Sequence, residues 1–316
     1  MPSPQSLTEP GTSQALENTA DESMPGTGRG DPSSPVARDV VIPARDGFSL
    51  GGTVFRRGST SRSVVIVNSA TAVPQRFYRH YAQALDDAGF IVVTYDYRGT
   101  GSSRPTSLKG FEARTSDWGL LDMAGVVDWA HEQFAPAKLL MIGHSVGGQV
   151  TGLLDNSKLI DGMMTISSQS GHWRLQGAEQ KWVVGFHVHV TLPLVANMFG
   201  YVPWSRLGSA EDLPKGVALE WSRWCRDPKY LLGDNTLPLE RFAGFRAPVL
   251  AYSIDDDKWG TRRAIDAMMS AYPNVERRYI DPAHYGLKSL GHLGYFRPAA
   301  RDAWEEGIAW LKEVGT

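Results

Sequence analysis

The sequence predicts an α/β fold: a mostly parallel central sheet flanked by helices, with a cap insertion after the sixth strand. Three observations carry that reading. From Val36 onward, short β-branched runs are separated by helical stretches, the pattern of a parallel sheet wrapped by helices. Several runs, such as Val64-Val65-Ile66-Val67 and Ile91-Val92-Val93, are apolar without alternation, as strands covered on both faces are. One run, LLMIGHSVGG at 139–148, ends in a serine set among glycines, which an ordinary strand-to-turn junction does not require.

Taken in order, residues 1–35 hold no aromatic residue, valine or isoleucine, while Pro, Ser, Gly, Thr and Glu dominate. Such a segment buries too little apolar surface to offset its ordering entropy, so a disordered tail is expected. The runs at 39–43 and 48–55, joined by Arg45-Asp46-Gly47, read as an antiparallel hairpin. Further strands are expected at 63–68, 90–96, 138–143, 160–167, 248–254 and 275–280. Near the C-terminus Trp304, Ile308 and Leu311 recur at helical spacing and place a helix over 301–313. Between Ser168 and Arg246 the alternation stops. The expected organisation is therefore a tail (1–35), a first core part (36–168), a cap or lid (169–245) and a second core part (246–316).

Composition narrows the function classes. A net charge of −2 gives no basic field for nucleic acid or an anionic membrane. The single cysteine, Cys225, excludes an internal disulfide and a Cys-rich zinc site. With no early apolar run after an N-terminal positive cluster, a cytoplasmic protein is expected.

The spacing Gly143-x-Ser145-x-Gly147 proves little alone, because glycine and serine are both common here. Its context gives it meaning. A buried strand precedes it, and Val146 onward, through Val150 and Leu153, can start a helix. Ser145 must then turn sharply, in a backbone conformation costing on the order of 1–3 kcal/mol for a residue other than glycine. Its hydroxyl stands over the carboxyl edge of the sheet, beside a positive helix end, where ligands bind in open α/β sheets.

A serine nucleophile needs a base. His80 and His131 fall on expected helices. His187 and His189 lie in an apolar segment with no carboxylate or cysteine to complete a metal site. His292, in Gly291-His292-Leu293-Gly294, follows the last strand on a glycine-flexible loop, and His284, nearer the strand end, is the alternative. The acid that orients the base is expected at another strand end, where Asp255-Asp256-Asp257 follows Pro248–Ser253.

Serine, acid, histidine in that chain order resembles an α/β-hydrolase, of the serine-aminopeptidase-like branch of predicted serine hydrolases. The resemblance runs from about Val36 to the C-terminus. It is carried by GHSVGG, by YDYRGTGSS at 95–103, by VLAYSIDDD at 249–257 and by GHLGYF at 291–296. It implies Ser145 as nucleophile and His292 as base. Asp257 matches the family's acid, counted from a strand-end glycine that is Ile254 here, with Asp256 the alternative. The family's His-Gly after the third strand is Asn68-Ser69, so the oxyanion donors are expected to be the amides of Val146 and Ala70, with Thr71 the alternative to Ala70. No cofactor and no metal are implied.

The insertion carries Trp173, Trp182, Trp204, Trp221 and Trp224, and residues 182–204 are its most apolar part. A membrane span is not expected there, because His187, His189, Pro193 and Asn197 interrupt it. Most of these tryptophans are expected in the cap's own core, with two or three lining a dry acyl pocket. The expected function is hydrolysis of a small-molecule carboxylic ester with a lipophilic or aromatic acyl group. Thioesterase, lactonase, amidase, peptidase and acyltransferase chemistry would use the same groups. A non-catalytic binding protein on this scaffold would typically have lost one of them.

Overall fold

The computed structural model describes residues 37–56, 62–206, 208 and 210–315, so the expected tail lies outside the described residues. Strands β1 (Ala37–Pro43), β2 (Ser49–Phe55), β3 (Ser63–Asn68), β4 (Ile91–Tyr95), β5 (Lys138–His144) and β6 (Gly162–Ile166) come first. A two-residue pair follows, β7 (Tyr201–Val202) and β8 (Leu213–Pro214), then β9 (Val249–Ile254) and β10 (Val275–Ile280). Eight strands form one sheet in the order β1-β2-β4-β3-β5-β6-β9-β10. The expected hairpin is present, with Pro43 opposite Ser49. β2 also meets β4 antiparallel, and every neighbour from β4 to β10 is parallel.

The unbroken apolar runs are explained by layers on both faces. In β3, Val64 and Ile66 enter one hydrophobic cluster, while Val65 and Val67 enter the other. Leu139 and Met141 alternate with Leu140 and Ile142 in the same way along β5. Period-two side-chain geometry is intact, but both faces are dry. On the second face the last helix, Arg301–Val314, buries Trp304, Trp310 and Leu311, with Ile308 only partly covered.

The chain winds outward from β3 to β4, then crosses back to β5 on the other side of β3. The carboxyl ends of β3 and β5 therefore flank the point where winding reverses, which opens a crevice in such sheets. Between β6 and β9 lie 3₁₀ turns, a continuous helical stretch Gln180–Phe199, the β7–β8 pair and the helix Lys215–Arg226. Of the five tryptophans there, only Trp224 is fully buried. Trp173, Trp204 and Trp221 are half-buried, and Trp182 is exposed.

Candidate active site

β5 delivers Ser145 with φ 51° and ψ −117°, a left-handed conformation for a residue that carries a Cβ. Neighbours over-determine it. Its N–H donates to Ile166 C=O at 3.0 Å, and its C=O accepts from Gly148 and Gln149 N–H. The flanking glycines are required by space. A Cβ on Gly143 would stand 2.5 Å from the Gly148 backbone across the turn. On Gly147 it would stand 2.3 Å from Asn68 O, so that glycine admits the adjacent strand β3 rather than the turn itself. The α-helix after Ser145 spans only Val146–Gln149 and continues as a 3₁₀ turn, Val150–Leu153. Three glycines in seven residues supply little helix propensity, and at Gly152 the Phe242 ring takes the space of a Cβ. The first amide, Val146 N–H, still has no intrahelical acceptor, because its helix begins there.

The three adjacent acids part company in the fold. Asp255 forms an exposed ion pair with Arg262 at 2.7 Å. Asp256 accepts from the N–H groups of Leu290 and Gly291, each at 2.9 Å, and from the Ser289 hydroxyl, so it fastens the loop before His292. Asp257 is buried, and its Oδ2 lies 2.7 Å from His292 Nδ1. Its Oδ1 accepts from Trp259 N–H at 2.8 Å. Burial alone would raise the Asp257 pKa. The His292 charge and hydrogen bond, with a backbone bond from Gly260, outweigh it and hold the carboxyl at about 2. The carboxylate acceptor makes Nδ1 a donor, which leaves Nε2 as the nitrogen free to exchange a proton with a nucleophile. Among the described residues Nε2 meets no hydrogen-bond partner, and Ser145 Oγ makes no hydrogen bond. His284 lies exposed on the 3₁₀ turn Pro282–Tyr285, edge-on to Tyr285, and its side chain is in no ion pair among the described residues.

His144, inside the GHSVGG motif, has a role that the sequence reading missed. It is fully buried, and its ring lies 5.3 Å from that of His292. Nε2–H donates to His292 C=O at 2.8 Å, which fixes Nδ1 as the acceptor for the Tyr78 hydroxyl at 2.8 Å. Tyr78 Oη in turn accepts from Ala70 N–H at 2.8 Å. Burial first, and the nearby His292 second, depress the His144 pKa to about 3, so the imidazole is neutral. This chain ties the loop after β3, the end of β5 and the His292 loop together. It also corrects the expectation for Ala70, whose amide is already engaged by Tyr78. The next amide, Thr71 N–H, bonds to no group among the described residues.

The stretch YDYRGTGSS braces this arrangement. Asp96 accepts from Gln75 N–H and from the N–H and hydroxyl of Ser102. Arg98 bridges the buried Asp122 and the partly exposed Asp46. His187 and His189 are exposed on the long helix, where His189 Nδ1–H donates to Gly185 C=O. Among the described residues no group of three or more His, Cys, Asp or Glu side chains has the arrangement of a metal site.

Two uncharacterized proteins, from two strains of Mycobacterium tuberculosis, are 33% identical to this chain over 120 residues. The match covers 37% of this chain and 40% of theirs, so the chain spans well under half the length of these relatives. An esterase from Pyrococcus furiosus superposes with a TM-score of 0.58 at 18% identity, covering 91% of this chain and 96% of that one. A malate-bound thermophilic esterase from Thermogutta terrifontis gives 0.57 at 18%, covering 89% and 100%. A hypothetical protein from Pseudomonas aeruginosa gives 0.62 at 13%, covering 90% and 95%. A family model described as alpha/beta hydrolase fold matches residues 63–288. With the sheet order and the strained serine at a strand end, that match settles the family: the chain belongs to the α/β-hydrolase fold family.

Proposed function

We propose that the protein is a serine hydrolase that cleaves a carboxylic ester of a small-molecule acyl substrate through an acyl-enzyme. The observation that carries the reading is the buried Asp257–His292 pair, seated against the residue that precedes a strained Ser145. His292 Nε2 takes the Ser145 proton as Oγ attacks the carbonyl carbon. Asp257 holds the imidazole tautomer and stabilises the imidazolium that forms. The amides of Val146 and Thr71 receive the developing oxyanion, each worth roughly 2.7–4 kcal/mol by analogy with other such donors. His292 then protonates the leaving alcohol as the carbon–oxygen bond breaks. Water, activated by the same nitrogen, releases the acid and restores Ser145.

Residues 169–245 act in this reading as a cap over the serine, and their apolar content supports a lipophilic or aromatic acyl group. The esterases among the similar structures accord with ester chemistry. The test is turnover of p-nitrophenyl esters by the wild type beside Ser145→Ala. The reading requires wild-type turnover and its loss in the variant, with an unchanged melting temperature. Wild-type-like turnover by the variant refutes it.

A further inference from the structure

Nine large apolar side chains are exposed among the described residues, and seven belong to one helical stretch, Gln180–Phe199. Trp182, Phe186, Val190, Leu194 and Met198 recur every four residues, so they form one stripe along the helix. Trp182 and Met198 are each 67% exposed and Phe186 is 61% exposed, and a contiguous apolar patch, unlike a single surface hydrophobic, marks an interaction site. The opposite face, Val184, Val188, Leu192 and Ala196, is built into the core. A helix tied down along one side cannot cross a bilayer. It can only lie against one.

We propose that this stripe docks the protein on the surface of an anionic phospholipid bilayer, with the helix axis parallel to the membrane. Charge decides between a bilayer and a protein partner. Two cations, exposed Arg174 and half-buried Lys181, stand at the N-terminal end, over the rings of Trp173 and Trp182 at 4.9 and 5.5 Å. Lys109 stands against Gly200 at the C-terminal end. None of the three makes an ion pair among the described residues. The only acid between residues 174 and 206 is Glu179, already within 4.0 Å of Lys258. An apolar stripe ended by unneutralised cations and aromatic rings is the pattern of an interfacial helix, which sinks ~5–10 Å into the headgroup region. Anionic lipid headgroups attract each cation near the bilayer surface, and salt screens that attraction. A second copy of this chain, paired face to face, would instead bring two cationic rims together.

The proposal goes beyond the ester reading and is independent of it, so the test uses the full chain carrying Ser145→Ala. Its sedimentation with sucrose-loaded vesicles of 70% phosphatidylcholine and 30% phosphatidylglycerol is compared with that of the same protein carrying Phe186→Glu and Leu194→Glu. Both side chains point to solvent, so melting temperature serves as the folding control. Expected are binding by the parent, at least tenfold weaker binding by the double variant, and several-fold weaker binding to pure phosphatidylcholine or in 0.5 M salt. No sedimentation of the parent, or equal sedimentation of both proteins, overturns the proposal. So does a concentration-dependent dimer that the double variant abolishes, which would give the stripe to a second copy. Catalytic failure of the wild type would leave each of these outcomes unaffected.

Discussion

His144 makes stability depend on pH in a way that can be isolated. Its folded pKa is about 3 against an ordinary 6.5, because burial opposes the charge. The unfolded chain therefore binds a proton that the folded chain refuses at any pH between those values. Stability falls as pH falls through that window and is unaffected by this group above about pH 7. Between pH 7.5 and pH 5 the loss works out at about 2 kcal/mol, and down to pH 3 at about 4 kcal/mol. Other titrating groups contribute to the whole profile, but they are common to wild type and His144→Gln and cancel in the difference. Gln retains an N–H donor for His292 C=O and an acceptor for Tyr78, and it does not titrate. Urea unfolding of both proteins at pH 7.5 and pH 5 gives four free energies. The variant should be less stable at pH 7.5, yet lose about 2 kcal/mol less than wild type on going to pH 5. Equal losses in the two proteins would mean that His144 is not held neutral, and the tie from Tyr78 to the His292 loop would have to be redrawn.

The three acids should rank by what they touch. Asp257→Asn is expected to lower kcat by about 10⁴-fold, by analogy with triad acids whose loss misplaces the proton. Asp256→Asn should lower it by about tenfold with a measurable drop in melting temperature, and Asp255→Asn should leave both unchanged; steady-state kinetics with thermal melts checks the order. Gly147→Ala drives a Cβ to 2.3 Å from Asn68 O, so a loss of ~3 kcal/mol or more is expected in denaturant unfolding. If the acyl group sits in a dry pocket, kcat/KM should rise from acetate toward hexanoate esters of one alcohol, by up to ~0.8 kcal/mol per methylene. A flat series would place the acyl chain in water.

Much of the sheet was legible because β-branched apolar runs are nearly sufficient to mark a doubly covered strand. The serine turn was legible because Gly143 and Gly147 announce close approach, although only the fold reveals that Gly147 admits Asn68. The roles of Asp255, Asp256 and Asp257 were not separable in sequence. They differ only in which distant segment reaches them: Arg262, the loop 289–291, or His292. Ala70 was misassigned for the same reason, since Tyr78 claims its amide through a side chain and leaves no mark on local spacing. His144 was hidden in plain view within the motif. The outward stripe of the long helix was obscured because both of its faces are apolar, which erases the contrast that betrays orientation.

The most direct test of the central claim is intact-mass and peptide-level analysis after treatment with a fluorophosphonate, which phosphonylates only a serine activated by its neighbours. One adduct per chain is expected, on the peptide containing Ser145, and it should be absent from Ser145→Ala and slowed by orders of magnitude in His292→Ala but not in His284→Ala. An adduct on another serine, or labelling of Ser145 that His292→Ala leaves at full rate, would contradict the account.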